Sequence, residues 1–252
     1  MPFRKTVVTI GDYIIFSFKV IEAMPFAVKR SYDILKQLKR IAYDSVPLIF
    51  ITSIFTGLVT ALQASYQTKG FIPKYLIGVL VGKTTMTELA PVLTALVLTG
   101  RIGASIAAEI GTMRVTEQID ALDVMAVNPY HYLYMPRILA GLISVPLLTV
   151  IALFVSIFSS FIFTIYSYDM TFYMFFENMK NYFMPLDLWL GIAKAVCFGW
   201  TITSIACFTG MNTQNGAEGV GRVTTDTVVY SSIGILMMDF IVAKLLFGGV
   251  GI

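Results

Sequence analysis

Several ionisable residues stand inside stretches that are otherwise apolar enough to cross a membrane, among them Glu88, Lys194, Asp239 and Lys244. Charged side chains within a membrane span are costly, and they usually face a bundle interior or a water-filled cavity. Such a set could line a path for a substrate or an ion, or it could form ion pairs that hold helices together. For Glu88 both interpretations stay open, with Lys83 or a lysine on another helix as its partner. For Lys194 and Asp239 the structural pairing is favoured.

Other reactive residue types do not form a recognisable site. Gly78, Gly82, Lys83 and Thr84 resemble a phosphate-binding loop, but the spacing is one residue short and the run lies in a predicted span, whereas such a loop faces water. His131 is the only histidine, and Cys197 and Cys207 lie about 15 Å apart along one helix, too far for a disulfide. We therefore expect no metal site, no catalytic set and no bound cofactor, so any ATP must be used by another chain.

The elements that must position these residues are long apolar helices. Of 252 residues 57% are apolar and 13% are charged, against about 25% charged in soluble domains. Charge-free runs are long enough for membrane helices, which need about 20 residues. The sequence predicts an all-α polytopic membrane protein with five transmembrane helices, at about 45–67, 75–108, 137–168, 188–209 and 223–247. The second span is too long and too polar for one ideal helix, and residues 169–187 are expected to form a loop.

Residues 1–44 form a separate N-terminal region in this prediction. They hold eight of the 18 Lys and Arg residues, in an amphipathic pattern typical of helices that lie in the headgroup layer. We expect these interfacial helices to precede a transmembrane domain at 45–252, without a signal peptide. The excess of Lys and Arg places the N-terminus in the cytoplasm and the C-terminus on the outer side. The net charge of +3 is local and does not indicate nucleic-acid binding.

The stretch from Glu109 to Pro129 is the most polar segment between two spans. It predicts a cytoplasmic amphipathic helix at about 115–127, whose apolar face consists of Ile119, Leu122 and Met125 or Ala126. Its acidic residues argue against an anionic membrane surface and favour docking to a partner. Small residues just before it indicate close helix packing: Gly100, Gly103, Ala104 and Gly111.

Several motifs, in order along the chain, resemble the MlaE-type permeases. The main one is the run from Gly100 to Leu122, GRIGASIAAEIGTMRVTEQIDAL, and Glu88–Pro91 is similar to the ELGP motif of that family. Asn128-Pro129, Pro136-Arg137, Ser144–Thr149 and Thr224–Phe240 also match. The resemblance covers about residues 45–250. Thr87 stands where many members have Arg, and Ala90 replaces the Gly of the motif.

The resemblance implies the membrane subunit of an ABC transporter in a bacterial inner membrane. Such subunits move phospholipids together with MCE-domain proteins, act as homodimers and help to maintain outer-membrane lipid asymmetry. The implied partners are a cytoplasmic ABC ATPase, a periplasmic MCE-domain protein and a small STAS-domain accessory subunit. The implied lipid-binding positions are Thr60, Phe71, Glu88 and Leu89. The implied ATPase-coupling residues are Arg114, Glu117, Gln118, Ile119, Asp120, Leu122, Asp123 and Met125.

Two alternatives from other classes remain at this stage. One is an ion-coupled secondary transporter or channel that uses Glu88, Lys194, Asp239 and Lys244. The other is an intramembrane lipid enzyme. No internal repeat of the kind common in secondary transporters is visible in the sequence, and no catalytic set supports an enzyme.

Overall fold

The computed structural model describes residues 2–68, 76–168 and 170–247. Within them the chain forms α-helices joined by short 3₁₀ and π-helical segments. The helices are α1 (Pro2–Ala23), α2 (Ser31–Ala42), α3 (Val46–Thr68), α4 (Leu76–Thr84), α5 (Ala90–Leu98), α6 (Ala104–Val115), α7 (Gln118–Val124), α8 (Met135–Tyr168), α9 (Phe172–Asn181), α10 (Pro185–Met211) and α11 (Gly216–Phe247).

Five stretches in the described part of the chain are long and apolar enough to cross a membrane. They are Val7–Gln67, Leu76–Val115, Tyr130–Tyr168, Pro185–Met211 and Gly216–Leu245. The prediction of an all-α membrane protein with five spans is confirmed. The first stretch begins earlier than the predicted span at 45, because helical turns connect α1, α2 and α3 without a break.

The second predicted span is irregular, as its length and polarity indicated. It consists of α4, α5 and α6, which are joined by π-helical segments at Thr85–Leu89 and Thr99–Gly103. Single π turns inside α-helices are frequent at functional sites. The first segment contains Glu88 and the second contains Arg101.

The chain divides into two compact units, and each unit is built from three segments that are distant in sequence. The first comprises Met1–Tyr43, Leu98–Ser144 and Gly199–Ile235. In it, the α1 side chains Phe16, Val20 and Ala23 are buried. The Phe16 ring packs against Tyr134 and Phe208, and the Tyr13 hydroxyl lies 2.7 Å from the Ser204 hydroxyl. One face of α1 therefore packs against protein.

The second unit comprises Asp44–Val97, Val145–Phe198 and Leu236–Ile252. Its helices α3 and α8 approach closely, because a methyl group at Gly57 would lie 2.1 Å from the Ser156 carbonyl oxygen. Hydroxyls on α8 then donate to carbonyl oxygens of α3: Ser156 to Ser53, and Ser160 to Gly57. This pairing of small residues with hydroxyl donors is typical of helix contacts in membranes.

Residues 169–187 differ from the predicted loop, since they include α9. Phe175 is fully buried and belongs to a core cluster with Phe161, Ile157 and Val81. The carbonyl of Phe175 comes within 2.7 Å of where a methyl group at Gly78 would lie, and the Met179 side chain occupies the corresponding space at Gly82. Helix α9 is thus packed tightly on α4.

Candidate functional site

The π-helical segment at Thr85–Leu89 has a local cause in the sequence. Pro91 has no N–H group to donate and so cannot continue the α-helical bonding pattern. The backbone N–H of Ala90 donates to the carbonyl of Thr85, five residues earlier. The Thr87 hydroxyl donates to the carbonyl of Lys83 at 2.9 Å. The turn places Glu88 where it meets a residue on α10.

A buried charge triad links this turn to α10 and α11. The Lys194 Nζ lies 2.6 Å from Glu88 Oε1 and 2.9 Å from Asp239 Oδ1. The Lys194 side chain is fully buried, whereas 41% of the Glu88 side chain and 24% of the Asp239 side chain are exposed. A buried ammonium group needs such partners to offset its desolvation. The pairing of Glu88 with a lysine on another helix is confirmed, as is that of Lys194 with Asp239.

The two remaining lysines of this region lie elsewhere. Lys83 Nζ is 3.8 Å from Asp187 Oδ2, and so pairs with the start of α10 rather than with Glu88. Lys244 is exposed on α11. The structure therefore does not bring together all four residues of the alternative ion path. Glu88, Lys194 and Asp239 form the triad, and Lys244 is not part of it.

The lipid-binding positions implied by the resemblance fall in different environments. Glu88 is partly exposed while it pairs with Lys194. Leu89 is half-buried beside it. Thr60 is buried in α3, and its hydroxyl donates to the carbonyl of Thr56 at 2.7 Å. Phe71 lies outside the described residues.

The predicted helix at 115–127 is shorter in the structure. Helix α6 continues from the second span to Val115, and α7 covers only Gln118–Val124. Glu117 precedes α7 and Ala126 follows it, and their backbone φ angles are 59° and 55°. This left-handed conformation is uncommon for residues other than glycine. The two residues set α7 off sharply from the chain on either side.

The outward face of α7 also differs from the prediction. Ile119 is 4% exposed, so it anchors α7 to its own chain and does not reach a partner, and Leu122 is half-buried. Met125 is 63% exposed, and Val124, which was not assigned to the predicted apolar face, is 88% exposed. The break after Val124 explains the difference, because the helical periodicity ends there.

Charged and polar residues around α7 bond mostly within the segment. Arg114 Nη1 lies 2.5 Å from Asp120 Oδ1, across the turn at Glu117. The Gln118 amide donates to the Thr116 hydroxyl at 3.1 Å. Glu117 and Asp123 are exposed. The ion pair therefore spans the turn, and Glu117 and Asp123 remain available to solvent or a partner.

A cavity of about 940 Å³ lies on the inner side of this segment. Its lining residues come from the N-terminal helices, the end of α6, α7 and the segment after it, and the region where α10 ends; they include Lys19, Arg114, Ile119, Asp123 and Asn212. His131 also lines it, and its ring contacts Phe26 with centroids 4.4 Å apart. His131 therefore packs against an aromatic side chain of the N-terminal region.

The exit from the second span is held by one carboxylate that sequence reasoning did not pair. Glu109 Oε2 lies 2.5 Å from Arg40 Nη1, and Oε1 lies 2.6 Å from Arg137 Nη2. Arg137 also donates to the carbonyl of Leu133 and is almost fully buried. Glu109 thus ties α6 to both α2 and α8. The sequence feature that could have indicated an ion pair with Glu109 is Arg137, which stands at the start of an apolar run.

The predicted small-residue packing is correct in part. At Gly111 a methyl group would lie 2.8 Å from the Thr213 hydroxyl, so a larger residue there would force Thr213 to shift. At Gly103 it would meet Ile202 and Thr227 at ordinary contact distance, 3.6 Å. Ala104 is half-buried. At Gly100, in the π-helical segment, a methyl group would meet nothing within 4 Å, so close packing at Gly100 stays a prediction.

Comparison with protein families matches residues 34–245 to the family described as Permease MlaE. The chain belongs to the MlaE permease family. The match covers the first span from residue 34 onward, the other four spans, the charge triad and α7. It confirms the resemblance drawn from the Gly100–Leu122 run, despite Thr87 and Ala90 in the motif around Glu88.

Individual MlaE permease relatives are similar over most of the chain. A probable ABC transporter permease protein of Rickettsia felis is 36% identical over 95% of this chain and 92% of its own. The intermembrane phospholipid transport system permease protein MlaE of Haemophilus influenzae is 34% identical over 88% of this chain and 85% of its own. The chloroplast protein TRIGALACTOSYLDIACYLGLYCEROL 1 of Arabidopsis thaliana is 34% identical over 86% of this chain and 62% of its own.

Proposed function

We propose that this chain is the membrane-spanning permease of an ABC transporter that moves phospholipids. The observation that carries the proposal is its similarity to the Haemophilus phospholipid permease along almost the whole of both chains. The charge triad supports it physically. A partly exposed carboxylate, Glu88, is held beside apolar helices, and a lipid presents both a polar headgroup and acyl chains to such a place.

Helix α7 is the proposed contact for a cytoplasmic ATPase. Val124 at its end and Met125 just after it are exposed and form a small apolar tip, and Glu117 and Asp123 provide a charged rim. Short apolar faces enter grooves on partners in this way, while rim charges fix the register. The sequence has no phosphate-binding loop of its own, so ATP would be bound by the partner. In this mechanism, closure of the ATPases pushes α7 and the spans then expel lipid.

A second copy of the chain is the proposed partner in the membrane. Only 17% of the most apolar part of α11 is buried, the smallest share among the five candidate spans. Leu236, Met237 and Phe240 are all more than half exposed on it. Lipid or another helix must cover such a face, and a homodimer would bring it toward a lipid cavity shared by two copies.

The remaining assignments follow from the family and the charge bias. The N-terminus and α7 would lie in the cytoplasm and the C-terminus in the periplasm of a bacterial inner membrane. Lipid would pass to or from a periplasmic MCE-domain carrier, and a STAS-domain subunit would accompany the ATPase. Such exchange would maintain the lipid asymmetry of the outer membrane.

The decisive experiment is affinity purification of the chain in mild detergent, followed by reconstitution. We expect an ABC ATPase and an MCE-domain protein to co-purify, and ATP to drive movement of labelled phospholipid between vesicles. Transport by the chain without any ATPase, driven by a proton or sodium gradient, would instead establish the ion-coupled alternative. Lipid products formed by the purified chain alone would establish an enzyme.

A further inference from the structure

Helix α9 exposes an aromatic surface that the proposed transport mechanism does not use. Phe172 and Tyr173 are 61% and 68% exposed, although Phe175 on the same helix is fully buried. The segment that follows α9 continues the surface with Tyr182, Phe183 and Met184, all at least 40% exposed. We call these residues, together with Tyr166 and Trp189, the aromatic ledge.

The ledge lies where two membrane-spanning helices end. Tyr166 is in the last turn of α8 and is 86% exposed; Trp189 is near the start of α10 and is 66% exposed. Helix α9 connects these two ends. Tyr and Trp are enriched at the boundary between hydrocarbon and headgroups, because their rings are apolar and their polar atoms reach water.

Polar residues on α9 fit the same boundary. Lys180 and Asn181 are exposed at its C-terminal end, and Glu177 and Asn178 are half-buried. A helix that faced only hydrocarbon would not carry them, and a helix that faced only water would not expose Phe172 and Tyr173. Mixed exposure of this kind is typical of a helix that lies in the headgroup layer.

We propose that the aromatic ledge binds the interfacial layer of the phospholipid bilayer, and that α9 thereby holds the end of α4 at a fixed depth. The second part rests on the close packing of α9 on α4 at Gly78 and Gly82, where even a methyl group would overlap with Phe175 or Met179. Lys83, at the end of α4, adds a 3.8 Å ion pair to Asp187 on α10. The inference needs only that the chain spans a membrane and is independent of what it transports.

The test measures the depth of the ledge by fluorescence quenching. The full chain is reconstituted in phosphatidylcholine vesicles whose acyl chains carry bromine near either the glycerol end or the terminal methyl. Trp200→Phe leaves Trp189 as the only indole. Tyr173→Trp combined with Trp189→Phe and Trp200→Phe places a single indole on α9. Phe154→Trp in the same background is the deep control, because Phe154 is 68% exposed in the middle of α8.

We expect both ledge indoles to lose most fluorescence with the shallow bromine and little with aqueous iodide, and the Phe154→Trp indole to lose most with the deep bromine. Strong iodide quenching without bromine quenching would overturn the proposal and assign the ledge to water or a protein partner. Strongest quenching by the deep bromine would overturn it as well. Elution volume and circular dichroism exclude misfolded variants, and the native Trp189 reports without any change on α9.

Discussion

Arg137 Nη2 lies 2.6 Å from Glu109 Oε1, while the other oxygen of the same carboxylate is 2.5 Å from Arg40. One carboxylate therefore bridges two guanidinium cations from separate helices. Arg137 is only 5% exposed, so water cannot replace its partner. The arrangement makes Glu109 a structural centre of the first unit, although it lies only eight residues before Glu117 in the segment proposed for coupling.

Glu109→Gln should destabilise the protein, because the change leaves Arg137 buried beside a neutral amide. Loss of a hydrogen bond to a charged group corresponds to about 1.5–3 kcal/mol. The melting temperature in detergent should fall clearly. Glu117→Gln, at an exposed position, is the matched control and should leave it unchanged. Equal melting temperatures for both variants would contradict the bridging role of Glu109.

Gly57→Ala should also lower the melting temperature, by forcing α3 away from α8. A methyl group there would lie 2.1 Å from a backbone oxygen that cannot move aside easily. Overpacking of this kind costs about 1–3 kcal/mol. Gly221→Ala, where nothing lies within 4 Å in an α-helix, should instead be neutral or stabilise by roughly 0.5–1 kcal/mol. A similar loss in both variants would argue against close α3–α8 contact.

Lys194→Met should be among the most damaging single changes in the spans. It removes the cation between Glu88 and Asp239, and breaking a buried ion pair costs about 3–5 kcal/mol. Combining it with Glu88→Gln and Asp239→Asn should restore much of the stability, because no charge is then left without a partner. Thermal denaturation of the wild type, of Lys194→Met and of the triple variant checks this, with the exposed Lys244→Met variant as control. No recovery in the combined variant would mean that the triad is not held by charge.

Val124→Asp should weaken ATPase binding without unfolding the permease, since Val124 is 88% exposed at the tip of α7. Ile119→Asp should instead lower the melting temperature, because Ile119 is buried in its own chain. Co-purification of the ATPase and thermal denaturation separate the two effects. Val28→Asp, at a position 85% exposed in the same unit, controls for a general effect of surface charge. If the ATPase co-purifies with the Val124→Asp variant as well as with the wild type, α7 is not the contact.

The elements that could be predicted from the sequence are those with a strong local signal. The spans follow from long charge-free runs, and the irregular second span follows from Pro91 and its intramembrane charges. The pairing of Lys194 with Asp239 could be expected because an apolar bundle offers few other partners. In each case the reason for the structure lies in residue type and hydropathy.

The missed features depend on contacts distant in sequence or on backbone conformation. Glu109 meets Arg40 across 69 positions of the chain, and no local pattern indicates that. Glu117 takes a positive φ that its side chain does not signal. Helix α9 forms from a short aromatic run whose periodicity is ambiguous between helix and strand, and it is stabilised by α4 and the Phe161 cluster.

The π turn at Thr85–Leu89 has a consequence for the register of the second span. It holds one residue more than an α-helical turn would, and each residue of an α-helix turns the chain by about 100°. Deleting Thr87 would restore a regular helix and rotate α4 by that angle relative to α5. Gly78 and Gly82 would then no longer face α9. The extra residue therefore sets which side of α4 meets its neighbour, and a chain shortened by one residue here would lose that alignment.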